Sequence, residues 1–442
     1  MAGSPADSNL PYRLYERDKR SDRHKGSPLS YPDLHQTTQV RVPRCRVPIF
    51  RRRQSTSLPN RRNKQSRGAL WRYRFTKARW LLTSIDGSAL ATGETKRMKY
   101  RGVVYDVGLR FVSDRPYSVE PFSHALAEHD MNTIATGLHA NAVRIEGEEI
   151  QRLVTTARIA DAAGLTVFFN PWKMNVPTRE LPDYFAEAAR AAEELRRDGV
   201  DIVFVCGCEI TLFNDGILPG ATLMERVAWL GSQAAAATGP KVPTVFQEKS
   251  AMLNDTLTAI TAAVRAEFSG LVTYSSGTWE NVDWRLFDVV GVDYYRNGET
   301  AREYVAGLDR FRIGKPLVVM EVGSCAYEGA AARGAGGFML LEGQNPDGTG
   351  KFVNNIVPTR SEREQAEYVE EQLELLSGAD ADGVFIYVFS FPSYRFGEGA
   401  RDLDMMSFSL VKTFPDGDPR SNQMPPWAPK AAFHRVADFF QR

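Results

Sequence analysis

From about residue 98 to the C-terminus, short apolar runs alternate with longer segments whose apolar residues recur at helical spacing. Glycines that favour helix C-termini, Gly164 and Gly199, end two of these longer segments. The apolar runs predict eight strands, over residues 100–108, 140–147, 165–172, 200–209, 271–277, 287–295, 315–323 and 382–391.

The predicted strands are almost continuously apolar instead of alternating apolar with polar residues. This pattern is typical of parallel strands that are buried on both faces. Eight strand–helix units of this size favour a (β/α)8 TIM barrel over a doubly wound sheet. No glycine-rich phosphate-binding motif follows any of the strands. We therefore predict one barrel domain over residues 98–442.

Composition separates the first part of the chain from the rest. Residues 1–100 contain 23 Lys and Arg against 7 Asp and Glu, whereas the remaining 342 residues contain 32 against 47. Residues 1–97 also lack hydrophobic periodicity, which predicts a basic extension of low order, or upstream sequence foreign to the native protein. An arm that contacts nucleic acid is the alternative, although no zinc or RNA-binding spacing supports it.

Cysteine content and hydropathy bear on the compartment. Four cysteines in 442 residues make no disulfide framework, which favours a reducing cytoplasm. The chain has no run of 18 apolar residues and begins without the pattern of a secretory signal. We predict a cytoplasmic protein without membrane contact, and the content of Ala, Gly and Arg fits a bacterial source.

Carboxylates follow two of the predicted strands. Glu321 ends the run "KPLVVME", and Glu209 ends "VDIVFVCGCE". In a parallel barrel, side chains at the carboxyl ends of strands share one face, where catalytic residues lie. Two carboxylates that face one pocket suit cleavage of a glycosidic bond, and Arg144 near Glu321 would keep it ionised. Glu321 could instead form only a structural salt bridge with Arg144.

Several segments together resemble the clan of (β/α)8 retaining glycoside hydrolases whose acid/base follows strand 4 and whose nucleophile follows strand 7. These segments are "NAVRI", "DVVGVDYY", "KPLVVMEVG", "DLDMMSFSLVK" and "PPWAPKAAFHRVADFF". The resemblance implies that Glu209 is the acid/base, Glu321 the nucleophile and Arg144 its anchor. It implies that Tyr294 or Tyr295 is the hydrogen-bond partner of Glu321, and that an oligosaccharide or small glycoside is the substrate.

The chain departs from this clan at two positions. Cys208 precedes Glu209 where the clan usually has an asparagine that contacts the sugar 2-hydroxyl. Strand 8 offers Phe389, Phe391 or Tyr394 where the clan usually has a tryptophan. Two alternatives therefore stay open: a catalytically altered barrel that binds or serves in phage defence, as in actinobacterial chains labelled abortive-infection proteins, or a biosynthetic enzyme that uses the carboxylates for acid–base chemistry.

Further candidates lie near other strand ends. Asn170 and Trp172 lie at the end of strand 3, and Trp279 follows strand 5. Either tryptophan could stack on a sugar or close the top of the barrel. Glu146 and Glu280 are expected to be solvated charges at the rim.

The cysteines and one long loop complete the candidates. The spacing of Cys206 and Cys208 places both side chains on one face of a strand, and with Cys325 they could bind zinc. We expect instead buried thiols that behave as small apolar groups, and no metal or cofactor. The glycine-rich segment 324–355 is predicted to form a lid over the pocket, with a phosphate cradle as the alternative.

Overall fold

The computed structural model describes residues 97–236 and 244–442. Eight parallel strands form a closed barrel in which each strand pairs with its neighbours in the chain and the last pairs with the first. The strands are β1 (Tyr100–Asp106), β2 (Ala142–Gly147), β3 (Thr166–Pro171), β4 (Ile202–Cys208), β5 (Leu271–Gly277), β6 (Val290–Asp293), β7 (Leu317–Val322) and β8 (Gly383–Ile386). The prediction of a (β/α)8 barrel is confirmed.

Helices lie between the strands and after the last one. The α-helices are α1 (His124–Asn132), α2 (Ile150–Ala162), α3 (Leu181–Arg197), α4 (Ile210–Phe213), α5 (Leu223–Ala236), α6 (Thr244–Glu267), α7 (Ala301–Gly307), α8 (Glu362–Gly378) and α9 (Ala431–Gln441). A π-helical turn, Thr133–Gly137, continues α1. Short 3₁₀ segments are Thr178–Glu180, Trp284–Leu286, Leu308–Phe311, Gly334–Leu340, Val353–Asn355, Asp404–Met406 and Pro419–Asn422.

Alternate residues of each strand enter two different cores. Val104 and Phe168 belong to a cluster inside the barrel, together with Met320. Their chain neighbours Val103 and Phe169 belong to the larger cluster between the barrel and its helices. Burial on both faces explains why the strands are apolar throughout, since neither face meets water.

Several predicted boundaries shift in the structure. β6 and β8 are shorter than predicted, because the chain leaves the barrel at Asp293 and Ile386. Segment 324–355 contains the 3₁₀ turn Gly334–Leu340 and an antiparallel hairpin of Leu341–Gln344 with Gly350–Phe352. A second hairpin pairs Val411–Thr413 with Trp427–Pro429. The predicted basic extension lies outside the described residues except for its last one, Arg97.

No helix within the described ranges combines the length and the hydropathy needed to cross a membrane.

Candidate active site

Arg144 on β2 lies at the centre of the C-terminal end of the barrel and is fully buried. Its Nη2 lies 3.0 Å from Oε1 of Glu321 and 3.1 Å from Oε2 of Glu146. Its Nη1 donates to the backbone oxygen of Met320 at 3.0 Å and lies 3.8 Å from Oδ1 of Asp293. One guanidinium therefore links carboxylates from three strands, as the planar fork of arginine allows.

Glu321 on β7 has both carboxylate oxygens occupied. Oε1 accepts from Arg144, and Oε2 accepts from the hydroxyl of Tyr295 at 2.9 Å. The residue after β7 is a glycine, Gly323, because a Cβ at this position would collide with the backbone oxygen of Tyr387, just after β8. The carboxylate of Glu321 is thus fixed in one orientation at the barrel mouth, with 7% of the residue exposed.

Cys208 and Glu209 reach the mouth through an irregular end of β4. The pairing register with β5 shifts between Val205 and Cys208, and Gly207 has a φ of 100°. Glu209 itself has a φ of 41° and ψ of 47°, a left-handed conformation that is costly for a residue with a Cβ. Its backbone N–H donates to the oxygen of Ser275 at 2.9 Å. Such strain concentrates at functional sites.

The shift also separates the two neighbouring cysteines, so the prediction that both share one face is wrong. Cys206 lies in the core between barrel and helices, whereas Cys208 packs with Trp172 near the mouth. Cys325 belongs to a third cluster with Met405. Since an extra residue in a strand reverses the alternation of side chains, sequence spacing alone could not reveal this. All three thiols are free and buried.

Asp293, the last residue of β6, lies beside both Cys208 and Glu321. Oδ1 of Asp293 accepts from the hydroxyl of Ser275 at 2.6 Å, and Oδ2 lies 3.6 Å from Sγ of Cys208. The same sulfur lies 3.6 Å from Oε1 of Glu321. A thiol between two carboxylates can donate one weak hydrogen bond. The two negative charges disfavour its thiolate form.

Burial and charge shift the pKa values of this group. Burial, followed by the negative charges of Asp293 and Glu321, raises the pKa of Glu209 well above its ordinary value. Burial and the charge of Glu321 likewise raise the pKa of Asp293. Burial and the two neighbouring carboxylates raise the pKa of the Cys208 thiol. Glu209 therefore favours the protonated form, as a general acid must.

A second set of polar residues lies across the mouth. Asp106, Glu146 and Asn170 lie in the last two positions of β1, β2 and β3, and Glu146 pairs with both of the others. We call these three residues the polar row. All are buried, with Asp106 6% exposed and the other two not at all, so the expectation that Glu146 is a solvated rim charge is wrong. The close packing of adjacent strand ends buries it.

Glu280 is also buried, which contradicts the same expectation for β5. Its carboxylate accepts from the hydroxyl of Thr211 at 2.6 Å and from Tyr274 at 2.9 Å. Burial raises its pKa to about 7 in spite of these bonds. Trp279 is partly buried, and its Nε1 donates to Thr211 at 3.0 Å. These residues brace the β4–β5 loops.

Three further sequence candidates lie at different depths. The hydroxyl of Tyr294 donates to the backbone oxygen of Tyr304 at 2.7 Å, so Tyr295 alone of the two tyrosines contacts Glu321. Phe389 packs against Trp427 at a centroid distance of 5.4 Å, in the core outside the barrel. Trp172 is buried near Cys208, with its ring centroid 6.0 Å from the Arg144 guanidinium carbon.

Tyr387 lies at the mouth, whereas the sequence predicted that strand 8 would present Phe389, Phe391 or Tyr394 there. It is half-buried and packs on the cluster inside the barrel. Burial and the charges of Glu146, Glu321 and Asp106 raise the pKa of its hydroxyl. The signal was its position directly after the last apolar residue of β8. Asp293 and Glu146 carried the same signal, a polar residue at the end of a strand.

One group of metal-ligand types converges within the described ranges. The ligand atoms of Cys208, Asp293 and Glu321 lie within 4.8 Å of one another. Arg144, which bonds Glu321 and lies beside Asp293, already places a positive charge there. Glu321 and Asp293 therefore already share one internal cation, Arg144.

Comparison with known proteins gives structural matches alone. No family model and no curated protein matches the sequence. Among the solved structures that match, a GH113 β-mannanase from Alicyclobacillus acidocaldarius has 18% identity and a TM-score of 0.44, covering 78% of this chain and 98% of that one. A family 5 glycoside hydrolase from Prevotella bryantii has 11% identity and a TM-score of 0.44, covering 80% and 100%.

A GH5_18 enzyme from Streptomyces cattleya, solved with GlcNAc, has 13% identity and a TM-score of 0.46, covering 78% of this chain and 80% of that one. These neighbours are glycoside hydrolases. At such scores and identities we draw nothing from them about activity, and the roles assigned below rest on the side chains described above.

Proposed function

We propose that this protein cleaves or transfers a glycosidic bond by a retaining mechanism, with Glu321 as nucleophile and Glu209 as acid/base. The observation that carries the proposal is the arrangement around Glu321. Arg144 and Tyr295 hold its two oxygens at 3.0 and 2.9 Å. A carboxylate fixed between a cation and a hydroxyl at the mouth of a barrel is prepared to attack carbon.

In the first step, an oxygen of Glu321 forms a bond to the anomeric carbon of the sugar while the bond to the leaving oxygen breaks. Glu209 gives its proton to that leaving oxygen and becomes ionised. In the second step, Glu209 removes a proton from water or from an acceptor hydroxyl. That oxygen then replaces Glu321 at the anomeric carbon, and the enzyme returns to its starting state.

The surroundings of Glu209 support its role as the acid. Its pKa is raised by burial and by the charges of Asp293 and Glu321, which favours the protonated form that a general acid needs. After the first step Glu321 is neutral as an ester, so one of these negative charges is gone. Glu209 then loses its proton more easily, which suits its second task as a base.

A second candidate function is favoured by Cys208. Its sulfur lies 3.6 Å from both Glu321 and Asp293, where a weak thiol donor replaces the amide expected from the resemblance. A thiol is a poorer hydrogen-bond donor than an amide, so the sugar 2-hydroxyl loses a contact that would favour the reaction. In that case the barrel binds a sugar without turnover.

The test is intact-mass spectrometry after incubation with a panel of 2-deoxy-2-fluoro glycosyl fluorides. Wild type should gain the mass of one fluoroglycosyl group, and Glu321→Gln should gain none. Glu328→Gln, an exposed glutamate seven residues along, is the matched control and should label like wild type. Absence of any adduct, together with retained binding of sugars, would instead support the second candidate.

A further inference from the structure

The polar row carries hydrogen-bonding atoms that have no partner. Oδ2 of Asp106, Oε1 of Glu146, and both amide atoms of Asn170 make no hydrogen bond, and Nε1 of Trp172 is also unpaired. All these residues are buried. Buried polar atoms are almost always paired, so a set of unpaired ones on adjacent elements indicates a bound partner.

The register shows that the polar row faces the inside of the barrel. Two positions earlier on the same strands, Val104, Arg144 and Phe168 pair with one another. Val104 and Phe168 belong to the cluster inside the barrel. Side chains two residues apart on a strand share a face, so the polar row forms the next layer toward the mouth. It is joined to Glu321 through Arg144, which bonds both Glu146 and Glu321.

The unpaired atoms divide into acceptors and donors. Asp106, Glu146 and Asn170 each offer an unpaired oxygen, while Nδ2 of Asn170 and Nε1 of Trp172 are unpaired donors. An ammonium group has three N–H donors and accepts nothing, so it matches the three oxygens. Hydroxyl groups next to it can accept from the two N–H groups. The set thus fits an amine beside hydroxyls.

Charge at the mouth favours the same ligand. Arg144 already interacts with Glu146, Glu321 and Asp293. The charge of Arg152 lowers the pKa of Asp106, but Arg152 itself forms ion pairs with Glu120 and Glu149. The carboxyls of the polar row therefore keep oxygens free for a ligand cation. A sugar that carries a carboxylate would be repelled here.

We infer that the polar row binds the ammonium group of a basic amino sugar, so that the substrate is an aminoglycoside-type glycosyl unit with a free amine. This inference rests on the proposed function, since it assigns the sugar unit next to Glu321. It goes further, because it distinguishes a cationic sugar from neutral, acidic and N-acylated ones.

Proton exchange offers a readout that is independent of turnover. Burial raises the pKa of Asp106 to about 6, and the nearby Ser118 hydroxyl, the N–H of Gly108 and the charge of Arg152 oppose the shift. Burial, together with Glu321 and Asp106, also raises the pKa of Glu146, which Arg144 opposes. An ammonium group that binds between the two carboxyls stabilises their ionised forms, so binding releases protons. Neutral sugars release none by this route.

The experiment is isothermal titration calorimetry with methyl glycosides of glucosamine, galactosamine and mannosamine, each compared with its neutral and N-acetylated counterparts. At pH 6.5, in two buffers of different ionisation enthalpy, at least one amino sugar should bind at least ~10-fold more tightly than both counterparts and should release protons. Asp106→Asn and Asn170→Ala should each weaken this binding by at least ~10-fold. Asp161→Asn, an exposed carboxylate on α2, is the charge-matched control and should bind like wild type.

Equal binding of neutral and amino sugars, or no effect of the two variants, would overturn the inference. Lack of binding by every amino sugar would also overturn it and would mean that ordered water alone satisfies the polar row. The 2-fluoro reagents replace the 2-amine by fluorine, so the trapping of Glu321 is repeated with 5-fluoro glycosyl fluorides of 2-amino sugars, which keep the amine. An adduct from either set of reagents, with failure here, would leave the proposed function intact. Failure of both would remove the proposed function itself.

Discussion

The two halves of the barrel mouth differ in how their polar atoms are paired. On the half built from β4 to β7, Asp293 accepts a hydrogen bond from Ser275. Glu321 accepts hydrogen bonds from Tyr295 and Arg144, so both of its oxygens are occupied. On the half built from β1 to β3, the polar row keeps unpaired buried atoms. A paired set holds reactive groups in position, whereas an unpaired set is complementary to something that binds. Under the proposed function, the first half carries the chemistry and the second the recognition of the sugar.

The largest effect is expected from the removal of Arg144, which contacts carboxylates of both halves. Arg144→Met should lower the free energy of unfolding by about 3–5 kcal/mol, because it leaves buried carboxylates without their cation. Urea denaturation followed by tryptophan fluorescence measures the change. Arg158→Met, in an exposed pair with Asp198, should cost less than about 1 kcal/mol. Equal costs for both variants would contradict a central role for Arg144.

Glu209→Gln tests the half assigned to chemistry. Turnover of a glycoside that reacts with wild type should fall by about 10²–10⁴-fold, because the leaving oxygen loses its proton donor. In wild type, activity should decline as the pH rises through the raised pKa of Glu209, since only the protonated form donates. The variant should lack that alkaline limb in its pH–rate profile. An unchanged limb would assign the acid to another residue.

Asp106→Asn tests the half assigned to recognition. An acid whose folded pKa lies above its unfolded value costs stability once both forms ionise. Wild type should therefore lose stability as the pH rises from about 4 to about 6, the pKa of Asp106 in the folded chain, by up to about 3 kcal/mol. The variant should lack this loss and be more stable at pH 7. Denaturation curves at pH 4, 5, 6 and 7 measure it.

A variant that is less stable at every pH would mean that Asp106 serves the fold instead of a ligand. Asp161→Asn, which removes the same charge at an exposed site on α2, should leave the pH dependence of stability unchanged.

The smallest effect concerns Cys208, which lies at the edge of the chemical half. Burial and the neighbouring carboxylates raise the pKa of its thiol, and the residue is only 1% exposed. In a Cys45→Ala background, iodoacetamide at pH 8 should label none of the described thiols in the native protein within an hour and all of them in urea. Peptide mapping measures the labelled positions. Rapid native labelling of Cys208 would show that the mouth opens.

Sequence patterns were enough to predict the barrel and to single out Glu209 and Glu321. Apolar runs at regular intervals dictated a parallel barrel, because strands buried on both faces must be apolar throughout. Glu209 and Glu321 were recognisable as candidates because a charged residue rarely comes directly after an apolar strand segment. Arg144 stood out for the same reason, as a cation within an apolar strand.

Tertiary structure alone decided which polar residues meet, and how. The register shift at Gly207 sends Cys206 outward and Cys208 to the mouth, although their spacing predicts a shared face. Tyr295 and not Tyr294 reaches Glu321, because β6 ends at Asp293. The polar row arises from the pairing of β1, β2 and β3, and register between strands is set by packing of the whole barrel. No local pattern encodes a partner that lies tens of residues away.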